Sequence, residues 1–454
     1  MEEEIDIFSL ANLGLKKAEN NSNCQSAEIF FHQNRYINVE IEENSVKHSE
    51  MGEDFGASIR MIDKRGSLGF AITNILTQNS IKKMVNSALN LMKSGTGDPD
   101  LTHLPSSYES YPTVKGLYKP EVKHLQIEDT LDYAEQLIQV CKEDEEAISQ
   151  SAGFSADYSK IYIFNTNGLE IHGKDTTCSL SSNIIVKDPQ SGETSSGYEW
   201  QSERDLKDLN ATQIAHTALE NAKRNLNRIK INSLECPLIL TPKGAISFIL
   251  RPIASAVNAE SFQYNRTFLV GRKEQGIGSE LLQVEDNALI DGAVGSAFFD
   301  GEGVPCKNKK IIEQGKFLNI LHNSYTAGKE GVESTGNAAR GSYESLPSIG
   351  ISNLILQPGS APKEEMIQDI SEGILIDYTG DSPNIATGDF SGLILQGNLI
   401  KNGEIDSPLN ETMFAVNLLD LYKNIEQISR ESEVYGAYHV PYVKIKQVQF
   451  VGSA

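Results

Sequence analysis

From Cys236 onward the chain is cut into short apolar runs by glycine, at Gly292, Gly295, Gly301, Gly303, Gly315, Gly388, Gly392, Gly397 and Gly403. Runs this short do not sustain helices, and evenly spaced strands with glycine corners close into a curved sheet or a barrel. The residues before this region read differently. Segments 27–32, 36–42, 55–62 and 67–73 are rich in β-branched or aromatic side chains and are parted by turns such as Lys64-Arg65-Gly66, which predicts an antiparallel sheet. Asn167-Gly168 is the residue pair of a type I′ hairpin, in which both positions take positive φ, and a second hairpin is expected at 188–192.

Apolar residues at helical intervals predict an amphipathic helix over 2–20, carried by Ile5, Phe8, Leu13, Leu15 and Ala18. A second helix is expected after capping oxygens at Asn79-Ser80, with others over 126–148 and 206–229 and a compact apolar one over 246–262 behind Thr241-Pro242. Residues 94–120 carry Pro99, Pro105, Pro112 and Pro120 and are expected to cross the surface irregularly. The fold class is therefore α+β. Residues 1–231 form an N-terminal domain, an antiparallel sheet with helices on one face, and residues 232–454 form a mainly-β C-terminal domain, a curved sheet or barrel.

The 62 acidic against 40 basic residues give a formal charge of −22, which repels nucleic-acid phosphates. The densest basic cluster, Lys307-Asn308-Lys309-Lys310, reads as a solvated loop. Five cysteines, odd in number and without a CxxC pair, read as reduced thiols, and the acidic amino terminus together with the lack of a bilayer-length apolar run leads us to expect a soluble, cytoplasmic protein with no membrane contact.

Three glycine-dense loops combine exposed backbone with hydrogen-bonding side chains: 300–305, 334–340 and 384–391. Such loops hold a carboxylate, a phosphate or a peptide backbone, and equally they turn corners between strands. No phosphate-binding loop, dinucleotide fingerprint or GxSxG elbow is present, and none of the eight histidines falls three to five residues from another.

Taken in order, TPKGAISFIL, FFDGEGVP, IIEQGKFLNIL, ESTGNAARG with NLILQPGS, and NIATGDFSGLI with KNGE resemble the second half of the TldD/PmbA (TldD/TldE) family, and FGASIRMIDKRGSLGFAIT resembles its first block. The resemblance implies a two-part cytosolic peptidase acting on unfolded or extended peptides. In it a TldD-type subunit carries zinc on a helix with the pattern HExxxH, aided by a cysteine near the carboxyl terminus, and a PmbA/TldE-type subunit pairs with it. The logic of the pattern is that two histidines of one helix give ring nitrogens to one metal while the Glu activates its water.

At the matching positions this chain has Arg251, Pro252 and Ala256, and its carboxyl-terminal segment GAYHVPYVKIKQVQFVG has no cysteine. The implied chain is a subunit with no metal or catalytic residue of its own, paired with a zinc-bearing TldD-like subunit and possessing the capacity to form a homodimer in isolation. Asp300, Glu302, Ser334, Thr335, Gly336, Asn337, Arg340, Thr387 and Asp389 are its candidates for holding a peptide, Arg340 by pairing with a carboxylate. Two alternatives stand beside this one. A homodimeric peptidase would build a dispersed centre from residues such as His322, His439 and Cys306, and a non-enzymatic modulator of DNA gyrase would act through protein contacts.

Overall fold

The computed structural model describes residues 6–101 and 104–453; Ile5, at the start of the first expected helix, and His103 lie outside the described residues. Helix α1 (Ile7–Glu19) is capped by the Asp6 carboxylate and leads into β1 (Cys24–Glu42), β2 (Ser45–Asp63) and β3 (Leu68–Thr73). Helices α2 (Gln78–Ser94), α3 (Pro120–His124) and α4 (Ile127–Glu143) precede β4 (Ala147–Asn165), β5 (Glu170–Lys187) and β6 (Thr194–Glu203), and α5 (Ala211–Arg224) follows. The six strands form one antiparallel sheet in the order β3-β2-β1-β4-β5-β6.

Strand alternation decides which residues meet the helices. Along β1, Ala27, Ile29, Phe31, Ile37, Val39 and Ile41 are buried in the clusters that contain the apolar stripes of α1, α2, α4 and α5. The intervening Glu28, Phe30, His32 and Asn34 stand on the opposite face, toward the C-terminal half.

Several expectations need correction. Segments 27–32 and 36–42 are one strand, because Gln33-Asn34-Arg35 interrupts the apolar pattern without interrupting the pairing to β2 and β4. Strand β2 begins ten residues before the expected 55, through a stretch mostly exposed on both faces, where alternation carries no signal. The positive-φ pair of a two-residue hairpin is Glu43-Asn44, at φ 49° and 60°. At Asn167-Gly168 only the glycine is left-handed, at φ 83°. That turn is a three-residue loop held by Asn165, whose side-chain oxygen accepts the N–H groups of Asn167 and Leu169 at 2.9 and 3.1 Å. Thr77, not Asn79-Ser80, caps α2. The expected helix 126–148 stops at Glu143 to make room for β4, and in 206–229 a single 3-10 turn (Leu206–Asp208) precedes α5. The hairpin at 188–192 forms as expected, with Gly192 N–H donating to the Asp188 carbonyl at 3.0 Å.

The described part of 94–120 has no strand, and it straps the two halves together. Tyr111 Oη donates to the Gly303 carbonyl at 2.9 Å, Lys115 N–H to Asp291 at 2.8 Å, and Thr176 N–H to the Leu117 carbonyl at 3.0 Å.

The second half contains β7 (Leu234–Leu240), β8 (Val284–Asn287), β9 (Asn308–Glu313), β10 (Lys316–Phe317), β11 (Ala338–Ala339), β12 (Ser348–Ile349) and β13 (Leu354–Leu356). After these come β14 (Glu372–Thr379), β15 (Asp389–Lys401), β16 (Glu404–Pro408), β17 (Met413–Asn417), β18 (Ile425–Tyr435) and β19 (Tyr438–Val451). The path β19-β17-β15-β14-β7 returns to β19 through a β7–β19 pairing, which closes a five-stranded barrel. Leu238, Ile374, Ile376, Phe390, Phe414, Val443 and Phe450 belong to its buried core. The fold class is the one expected: an α+β molecule with a helix-covered antiparallel sheet and a barrel. Among the described residues no helix is long and apolar enough to cross a membrane.

Candidate functional site

The face of the sheet left free by the helices looks across a cavity of about 450 Å³ at the C-terminal loops. Its floor is Phe30, His32 and Asn34 of β1, Asp157, Ser159 and Ile161 of β4, and Asp175 of β5; its roof is built from 295–301, Cys306, 336–341 and 350–352. Strand register puts Asn34, Ser159 and Asp175 in one row across three strands. His32 Nε2 lies 3.1 Å from Ser159 Oγ, and burial holds its imidazole below the usual value.

Two of the three glycine loops therefore meet at this cavity, and they hold each other. The Asp300 carboxylate, buried, accepts the N–H groups of Glu302, Val304 and Ala338 at 2.9, 3.0 and 2.9 Å. Gly301 N–H donates to the Ala338 carbonyl at 2.7 Å. Gly336 has φ +72°, and a Cβ there would sit 2.7 Å from the Pro305 carbonyl oxygen. The glycine serves loop-to-loop packing at this point.

Arg340 does pair with a carboxylate, but with the protein's own Glu28. Glu28 also receives Arg60 through two bonds of 2.9 and 2.8 Å, and Arg60 Nη1 reaches Glu302 at 2.9 Å. Glu302 in turn accepts Ser324 N–H at 2.7 Å. All four charged side chains are buried, so each charge depends on the others for solvation. Burial by itself would raise Glu28; Arg340 and Arg60 outweigh it and hold the carboxyl below its ordinary value. Asp300, buried beside Glu302 with no cation against it, is instead pushed up to about 7.

Thr335 and Asn337 are likewise engaged inside the protein. Thr335 Oγ accepts His322 N–H at 2.7 Å, and Asn337 bridges Lys309 Nζ at 2.9 Å and Asp286 at 2.8 Å. Lys309 belongs to the basic cluster expected to be a solvated loop; it lies on β9, is buried, and pairs with Asp286 at 2.9 Å. Ser334 Oγ donates to the His322 carbonyl at 3.3 Å. The side chains of this loop brace it, and residues 336–341 run along the cavity roof.

Thr387 and Asp389 lie elsewhere, exposed in a turn where Asp389 accepts Asn417 Nδ2 at 2.8 Å. That turn abuts a different element, the buried helix expected over 246–262. It runs as three successive segments, Pro242–Ala245, Ile246–Leu250 and Arg251–Ala256, and Phe248 packs edge-on to Phe390 with centroids 4.8 Å apart. Thr241 caps it through Gly244 N–H, with Pro242 in the first turn, as expected. The middle segment is a π turn, with Arg251 N–H donating to the Ile246 carbonyl. Proline inside a helix has no N–H to give the preceding turn, and a widened turn absorbs the misfit. The Tyr422 hydroxyl donates to the Phe248 carbonyl at 3.1 Å.

This helix does not fit a zinc ion. Arg251 is a cation, and Pro252 and Ala256 offer no lone pair. Arg251 and Ser255 are exposed, while Pro252 and Ala256 are buried. Among the described residues, no group of three or more His, Cys, Asp and Glu is placed to hold a metal.

The dispersed set does not converge either. Cys306 lines the cavity, yet burial and then Asp300 push its thiol up to about 12, so it is no thiolate. His322 is buried with Nδ1 3.2 Å from Thr326 Oγ. His439 sits on β19 opposite Val434, its Nε2 buried without a hydrogen-bond partner among the described residues. Neither histidine lines the cavity.

Sequence reasoning missed the floor altogether, and it missed the buried charges beside the cavity, for which a signal existed. Glu28 interrupts the apolar run AEIFF and Arg60 interrupts ASIRMI, opposite charges at positions that strand burial makes costly unless they pair.

Residues 27–91 match the PmbA/TldA metallopeptidase domain 1, residues 120–226 its central domain and residues 233–452 its C-terminal domain. The chain is 28% identical to an uncharacterized protein of Methanocaldococcus jannaschii over 92% of this chain and 94% of that one. It is 23% identical to the metalloprotease PmbA of Escherichia coli O157:H7 over 94% and 92%. Among solved structures, TldE from Thermococcus kodakarensis matches with a TM-score of 0.86 at 22% identity, covering 98% of this chain and all 100% of that one. A proposed DNA-gyrase modulator from Thermotoga maritima matches with a TM-score of 0.88 at 23% identity, covering 98% and 100%. These structural likenesses carry the fold. With three successive domains of one family matched in order along nearly its whole length, the chain belongs to the PmbA/TldD metallopeptidase family.

Proposed function

We propose that this chain is a PmbA/TldE-like, metal-free subunit that holds an extended peptide for a zinc-bearing TldD-type partner in the cytoplasm. The observation that carries the reading is the helix of Arg251, Pro252 and Ala256, chemically unable to hold the ion, in a chain whose loop-lined cavity is intact. Residues 336–341 offer main-chain groups along one wall, and His32, Asn34 and Ser159 offer side-chain hydrogen bonds along the other. Water attack and metal activation fall to the partner. Mixing the chain with a TldD-type subunit is expected to give cleavage of a disordered peptide that the chain alone does not cleave. Full activity from the lone chain overturns the reading.

An autonomous centre finds no support in the neutral Cys306 thiol and the separated histidines. An effect on gyrase would run through protein contacts, since a chain of charge −22 repels DNA.

A further inference from the structure

The charged groups that line the cavity do not balance. Asp300 is held by three N–H groups of its own loops, and the buried Arg340 by Glu28. Asp175 is met by Arg204, which is buried and gives its other N–H groups to main-chain carbonyls such as those of Thr176 and Ser296. Asp157 is different. Among the described residues no cation pairs with it, and the Asn34 side chain hydrogen-bonds it. Burial raises its carboxyl against that bond, and Asp175 adds to the rise. Strand register explains the crowding: Asp54 of β2, Asn34, Ser159 and Asp175 form one row, and Asp157 stands two residues along β4 on the same face. A carboxylate partly removed from water beside another is unfavourable until a cation arrives. An uncharged group in the roof points the same way. Ser352 is 8% exposed and lines the cavity, and its Oγ has no hydrogen-bond partner among the described residues.

We infer that the cavity floor is a subsite for a cation: the peptide held there presents a lysine or arginine side chain, or its own amino terminus, to Asp157. This rests on the peptide-holding reading and names the class of peptide. An ammonium or guanidinium group supplies the charge-assisted hydrogen bond that Asp157 lacks, and Ser352 Oγ is an acceptor for a further N–H. Phe30, Ile161 and Phe299 give an apolar wall for the aliphatic stem of a basic side chain. An acidic peptide meets Asp157 and Asp175 with no free cation among the described lining residues, so it is refused.

Fluorescence-anisotropy titration of the full chain tests it with disordered peptides of one length. Three are acetylated and carry a central lysine, norleucine or glutamate; a fourth is the norleucine peptide with a free amino terminus. The lysine peptide, the free-terminus peptide or both are expected to bind about 10-fold tighter than acetylated norleucine, and the glutamate peptide weakest. Which of them gains tells a side chain from an amino terminus. Asp157→Asn is expected to cut the gain to about twofold or less, with an unchanged circular-dichroism spectrum. Asp132→Asn, the same change of charge at an exposed position on α4, is expected to leave the gain intact. Equal binding of charged and uncharged peptides, or a gain that survives Asp157→Asn, overturns the inference and leaves the peptide-holding reading standing. The comparison of peptides on the unaltered chain decides even where the variant fails to fold. Where no peptide binds, the peptide-holding reading falls, and Nα-acetyl-lysine methylamide followed by ligand-observed NMR decides the subsite: binding that Asp157→Asn abolishes upholds it, and no binding overturns it.

Discussion

At Glu28 two guanidinium groups converge on one buried carboxylate, and the residues that supply them come from β2 and from the 334–340 loop. Removing Arg340 leaves Glu28 with one partner and frees the Gly301 carbonyl, which now accepts Arg340 Nε at 2.7 Å. Arg340→Ala is expected to cost roughly 3 kcal/mol in urea denaturation. Asp300 answers to pH with the opposite sign from a salt-bridged acid. Its native carboxyl binds a proton more tightly than its unfolded one, so its contribution is fully present below about pH 4 and is lost as pH rises toward about 7. Stability of the native chain relative to Asp300→Asn, which cannot ionise, should therefore fall by about 1–4 kcal/mol between pH 4 and 8, read from denaturation at each pH. A difference that stays flat across this range would mean that Asp300 is an ordinary carboxylate.

Among the elements, helices with a clear apolar stripe were legible from spacing alone, and so was the barrel from its glycine corners. What was not legible has physical causes. The first ten residues of β2 are mostly exposed on both faces and so carry no alternation, and the hairpin before it turns on Glu43-Asn44, where glutamate gives no sign of a positive φ. The π turn was invisible because the apolar run 246–262 reads as one regular helix through Pro252, and the hydroxyl that serves the Phe248 carbonyl comes from Tyr422, 174 residues beyond. Tyr422→Phe deletes the hydroxyl that serves the Phe248 carbonyl in a fully buried site. A loss of about 1–2 kcal/mol in thermal unfolding is expected, with no cavity to blame because the ring remains.

For the molecule as a whole, the site is a junction of two halves, which is why single-loop motifs described only its roof. Of the three loops singled out by glycine density, 300–305 and 334–340 meet at the cavity, where Gly336 marks close backbone approach. Their floor is made of polar residues on alternate positions of β1, β4 and β5, a pattern that reads as a solvent face until the second half is laid over it. The third loop, 384–391, looked equivalent by composition yet packs against the buried helix. Closure of the barrel makes a further prediction at this scale. A chain ended after Tyr435 lacks β19, which pairs with β7, β13, β17 and β18, so limited proteolysis should digest its second half readily.

The seam between β7 and β19 also sets an order of events during synthesis. The first and last strands of the barrel are neighbours in space, so the ring stays open until the carboxyl terminus has left the ribosome. Until Glu302 and Arg340 have been made, Glu28 and Arg60 of the nascent sheet have only each other. A chaperone that shields this half-finished surface would act during translation, before any partner chain or peptide is met.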